Sequence, residues 1–170
     1  YSYLVFKNST GYYAQNGTTS QIEFNHSTNA SYVWESSINA LTNGGKILVK
    51  GGTYAFDVTI NLPSEANRNL VIEGETERVW ITSSQPKVFD VTATSWIGGQ
   101  LNPSRITLRN LRIQHTTQSA SDIGLDLWYG YVQLENIRLD NANSTRQGTG
   151  IKIGPKQGSL DVTWQNVRVW

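Results

Sequence analysis

The chain has 170 residues, the length of one domain, with a formal net charge of +1 and only 16% charged residues. No basic stripe argues for a nucleic-acid partner, and no apolar run approaches the ~18 residues of a membrane span. Cys is absent, which excludes disulfides and thiolate metal sites. Met is absent too, including at position 1. That is expected of a processed product that has lost a signal peptide before Tyr1, or of an excised segment.

Residues 1–29 read as a β-meander and loop. YLVFK, YYAQN and QIEF are separated by the turn-like NSTG and GTTS. Residues 30–42 change to helical period: Ala30, Val33 or Trp34, Ser37 or Ile38, and Leu41 share a face. Thr28 or Asn29 would cap its start and Gly44-Gly45 its end. The expected task of this helix is to cover one end of a stack.

Residues 46–170 read as strands. KILVK is followed by GGTY, FDVTINL, NLVIEGE and RVWITS. A ten-residue pattern then recurs as RITLRNLRIQ at 105–114, YVQLENIRLD at 131–140 and DVTWQNVRVW at 161–170, with NLVIEGE a looser copy. Ile106 and Leu108 keep the two-residue period of a half-buried strand, as do Leu111 and Ile113. The step from Leu108 to Leu111 is three residues, so the inward face jumps at a corner. Asn110, Asn136 and Asn166 occupy that corner in successive copies, and Asn tolerates the left-handed backbone a corner demands. A second family, KVFDV, GLDLW and GIKIG, interleaves with the first. Such units cannot each bury a core alone and must stack. The expected fold is all-β, a parallel β-helix of about four to five coils, with the N-terminal meander and one capping helix. The 94–104 connection, with Trp96, reads as a projecting loop.

GGKILVKGGTY followed by LVIEGE resembles the start of pectate-lyase-like right-handed β-helix proteins. There a helix precedes Gly-Gly, an apolar strand, a Gly-x-Tyr turn and a strand ending in Gly-Glu-Gly or similar; residues 30–75 match that plan, with Glu75-Thr76 where the family often continues with Gly. The meander is similar to the lead of secreted archaeal or viral β-helix proteins. The resemblance implies a fold that serves lyases, glycosidases, tail spikes and surface proteins alike.

Asp90, Asp126 and Lys152 align in the second strand family, at outward positions. As a carboxylate pair, Asp90 and Asp126 would be the acid and base of a glycosidase or lyase. Otherwise they are solvated, with Asp126–Lys152 a surface ion pair of little weight. His26 and His115 read as polar loop residues with no metal or triad partner. Arg112, Arg138 and Arg168 form an outward ladder that suits an acidic glycan, unless Glu135, Asp140 and solvent screen it. Trp128, Tyr129 and Tyr131 cluster at one turn and would stack on sugars or pack within the chain. Sequons at Asn8, Asn16, Asn25, Asn29 and Asn143 favour a glycosylated extracellular surface.

The last repeat strand leaves Trp164, Val169 and Trp170 uncovered, so a further coil or another subunit is expected there. The sequence points to a secreted, non-catalytic subunit without cofactors or metal. Its expected partners are further copies, head to tail, in a filament or on a cell or virion surface. The competing expectation is a carbohydrate-active enzyme or a glycan-binding spike.

Overall fold

The computed structural model describes residues 1–63, 68–91, 104–117, 119–128, 130–141, 148–154 and 160–169. Strands β1 (Tyr3–Lys7), β2 (Tyr12–Asn16) and β3 (Ile22–His26) form the expected antiparallel meander. Helix α1 (Ala30–Ala40) follows. The Asn29 side chain accepts the Tyr32 N–H at 2.7 Å and so starts it. Leu41 ends it, short of the expected residue 42, by turning its N–H to the Ile38 carbonyl. The glycine pair does not stop the helix but opens the next strand. At Gly44 φ is +86°, and a Cβ there would lie 2.4 Å from the Asn69 carbonyl oxygen, so a larger residue would push the neighbouring strand away.

The rest is a parallel β-helix. Its first coil holds β4 (Gly44–Val49), β5 (Gly52–Phe56) and the two-residue β6 (Ile60–Asn61). GGTY is therefore mostly strand rather than turn, while FDVTINL supplies only the short third side. The second coil is β7 (Asn69–Gly74), β8 (Val79–Ser83) and β9 (Lys87–Val91). The third is β10 (Arg105–His115), which bends at Asn110 to form two sides, and β11 (Ile123–Leu127). The fourth repeats this with β12 (Gly130–Asn141) and β13 (Thr149–Ile153). Strands β14 (Leu160–Gln165) and β15 (Arg168–Val169) lie against β12. Among the described residues all coil-to-coil pairings are parallel.

The solenoid makes about three turns, fewer than expected. Three coils have three full sides. The sequence spacing also counted the first coil and the last pair of strands, which lacks a third side among the described residues.

Stacking in register builds the core in rows. On the first face Ile47, Ile72, Leu108 and Leu134 follow one another, each fully buried. On the second face Tyr54, Ile81, Ile113 and Leu139 do the same. Each buried aliphatic side chain contributes roughly 1.5–3 kcal/mol, so the rows carry much of the fold.

The corner between those faces is set by asparagine. Asn110, Asn136 and Asn166 have φ of 54°, 51° and 52°, the left-handed region. Each also donates its side-chain amide to the rung before. Asn166 Nδ2 reaches Asn136 Oδ1 at 2.8 Å, and Asn136 Nδ2 reaches Asn110 Oδ1 at 3.0 Å. Asn110 Nδ2 ends the series on the Gly74 carbonyl at 3.1 Å.

Helix α1 covers the opposite end of the stack. Trp34 is fully buried, with its ring centroid 5.8 Å from that of Tyr54, 5.2 Å from Phe56 and 6.2 Å from Phe89. The meander belongs to the solenoid too, because β1 pairs in parallel with β4. One sheet therefore runs through β14, β12, β10, β7, β4, β1, β2 and β3 in that order.

Candidate functional site

The third face carries the charged constellation. Asp90, Asp126 and Lys152 are in register on β9, β11 and β13. Asp126 is not solvated as expected: it is only 1% exposed. Lys87 satisfies it, with Nζ 2.6 Å from Asp126 Oδ2 and 2.7 Å from Asp90 Oδ2. Trp128 Nε1 donates to the other Asp126 oxygen. Burial lowers the affinity of Lys87 for its proton, but the hydrogen bonds it donates to Asp126 and Asp90 outweigh this and raise its pKa.

Lys152 does not form the expected ion pair with Asp126. Its Nζ lies 5.1 Å from the centre of the Trp128 ring instead, a cation–π contact. Lys87 escaped the sequence reading because strict alternation places Lys87 and Asp90 on opposite faces. Val88 and Phe89 are both buried, so the strand is irregular there and the two ends of the Lys-x-x-Asp stretch meet.

This arrangement is poor acid–base machinery. A glycosidase needs one carboxyl to protonate the leaving group and a second to act as base or nucleophile, whereas here a single ammonium binds both. Among the described residues, no group of three or more His, Asp or Glu is placed to hold a metal.

The arginines of the second face lie in register as Arg112, Arg138 and Arg168. Asp140 pairs with both Arg112 and Arg138. Arg112 also sits 4.2 Å over the Trp80 ring. Glu135 does not screen this row: it pairs with Arg109 on the first face, where Lys46, Glu73, Arg109 and Glu135 alternate in sign across four strands. Arg168 is exposed and has no ion-pair partner among the described residues.

Neither histidine is a loop residue. His26 ends β3, and its Nδ1 accepts the N–H groups of Thr28 and Asn29. His115 ends β10 with its ring turned inward, 7% exposed.

A groove of about 380 Å³ runs across the first face. Arg105, Thr107, Tyr131, Gln133, Asp161 and Thr163 line it, with Arg105 over the Tyr131 ring at 5.6 Å. Tyr131 is 41% exposed. Tyr129, Trp96 and Asn143 lie outside the described residues.

The sequons differ in what their amides do. Asn8 and Asn25 are exposed. Asn16 accepts from the backbone of Thr18 and Thr19 and donates to Glu23. Asn29 is committed to the helix cap on one side and to Asp57 on the other, at 2.7 Å.

At the end of the stack away from α1, both core rows surface. Trp164 continues the first row and is 60% exposed, while Val169 continues the second and is 58% exposed. Trp170 lies outside the described residues.

Comparison with family models, with curated proteins and with solved structures finds no match to this chain.

Proposed function

We propose that this chain is a secreted structural β-helix subunit, distantly related to pectate-lyase-like proteins, that assembles end to end into an extracellular filament or surface appendage. The observation that carries this reading is the break in the core rows. Trp164 is mostly exposed where its registered neighbour Leu134 is fully buried. A row of that kind is stable against a further rung, and another copy of the chain supplies one. The Lys87-bridged carboxylates support a non-catalytic role. The Gly44-Gly45 start of the first coil and the asparagine corner support the relationship.

Electron microscopy of native material, with light scattering on the purified chain, tests this. Filaments or multimers that shorten in Trp164→Asp or Val169→Asp are expected. A wild-type monomer at high concentration overturns the reading.

One observation favours a second reading, glycan binding. The first-face groove offers an exposed Tyr131 ring beside Arg105, Gln133 and Asp161, groups that stack on sugars and hydrogen-bond their hydroxyls. A glycan array that stays blank with the wild-type protein removes it.

A further inference from the structure

We infer that the joint between copies is a parallel strand pairing, in which β14 of one copy receives β3 of the next and makes the first-face sheet continuous along the filament. This rests on the end-to-end reading and specifies how the ends meet.

The two strands are opposite edges of one sheet. Among the described residues each has a strand partner on one side only, which leaves its outer side a template for another strand. Direction decides whether the two edges fit. Strands β14, β12, β10, β7, β4 and β1 run parallel in sequence. Strand β2 reverses and β3 reverses again, so β3 points the same way as β14. Simple translation along the stack, with the sheet's ordinary twist, brings β3 against β14 in the orientation of every other rung.

The heights also agree. Three meander strands extend the first face by roughly 14 Å, and one helix covers the other faces to about 10–12 Å. The receiving end is therefore nearly level. Its apolar groups include Ile22 on β3 and Tyr32 on α1, 42% and 47% exposed. Trp164 and Val169 come to face them. The contact is heterologous, and it propagates because translation never closes a ring.

Charge is complementary. Glu35 and Asp57 lie at the helix-covered end. The Glu35 pKa is raised by burial first and by Asp57 second, the sign of acid lacking a nearby cation. Exposed Lys152 and Arg168 stand on the last described rungs of the other two faces, with Asp161 the one acid on β14.

The pairing fixes a length. Eight strands lie along the sheet path. At about 4.8 Å each they set an axial repeat of roughly 38 Å. The chain contains no Cys, so introduced cysteines report the contact directly. Asn25 faces outward on β3, and Asp161, Thr163 and Gln165 face outward on β14. Asn25→Cys is combined in turn with Asp161→Cys, Thr163→Cys and Gln165→Cys, and each pair is oxidised and run on a non-reducing gel.

A ladder of linked multimers in at least one pair is expected, with nothing beyond dimer for each single cysteine. Wild-type filaments are expected to repeat at roughly 38 Å by cryo-electron microscopy. Filaments that give no ladder and a different repeat overturn the strand pairing while leaving end-to-end assembly standing. A chain that forms no multimers at all overturns both.

Discussion

Asn166 donates its side-chain amide to Asn136 Oδ1, while its own Oδ1 accepts from no group among the described residues. The column therefore has a direction: every amide points toward the helix-capped end, and an acceptor is left at the other. Asn136 is satisfied on both sides, donating to Asn110 and accepting from Asn166.

Asn136→Ala removes two hydrogen bonds, each worth about 1 kcal/mol, and forces Ala into a left-handed backbone at a further ~1–2 kcal/mol. A loss of roughly 3 kcal/mol is expected from denaturant titration. Asn136→Gly loses the bonds but tolerates the backbone, so it should cost less. Equal losses in the two variants show that the φ requirement carries no energy.

Trp34→Ala empties the space that seals the first coil against α1. Truncating a fully buried Trp costs roughly 3–5 kcal/mol. Urea unfolding should show that loss, and Trp34→Phe a smaller one. A loss below 1 kcal/mol means that α1 is not needed as a cap.

Lys87→Met leaves the buried Asp126 with Trp128 alone. Roughly 3 kcal/mol should be lost, the low end for an uncompensated buried charge because the indole still donates. Adding Asp126→Asn should restore part of it. A double variant that is as unstable as the sum of the singles denies the coupling.

Glu35 sets a pH dependence. Burial and then Asp57 raise its pKa above the ordinary 4.5. The folded state thus holds this proton more tightly than the unfolded chain does. The stability from the protonated group is complete below that ordinary value and is lost as pH rises through the raised folded value. Glu35→Gln stays neutral throughout. Its stability advantage over wild type should appear above about pH 4.5 and then level off. Parallel stability curves from acid to neutral pH remove this assignment.

Sugar on native protein should favour Asn8 and Asn25 over Asn29. A glycan on Asn29 Nδ2 displaces the bond to Asp57, and the third sequon residue, Ser31, is fully buried with its hydroxyl accepting the Asp57 N–H. Glycopeptide mass spectrometry reads the occupancy. Occupancy at Asn29 equal to that at Asn25 refutes the ranking.

The repeated pattern made the coils legible, because one-sided burial forces period two and a corner forces a break in it. The break at Arg109-Asn110 thus located both halves of β10. The third-face site was not legible. Lys87 meets Asp90 only through an irregular strand, and Asp126 is buried despite pointing away from the core. The joining of the meander to the solenoid was hidden as well. Pairing of β1 with β4 is a contact across more than forty residues, and no local pattern announces it.

The backbone hydrogen bonds between rungs run along the stack, so a pull along that axis loads them in tension. Within a copy, each rung is also tied covalently to the next, and a rung that gives way pays out chain rather than parting. In the proposed assembly the joint between copies is held by strand pairing and packing alone. The proposed filament would therefore concentrate mechanical failure at its joints, breaking into whole subunits that keep both ends intact and can rejoin.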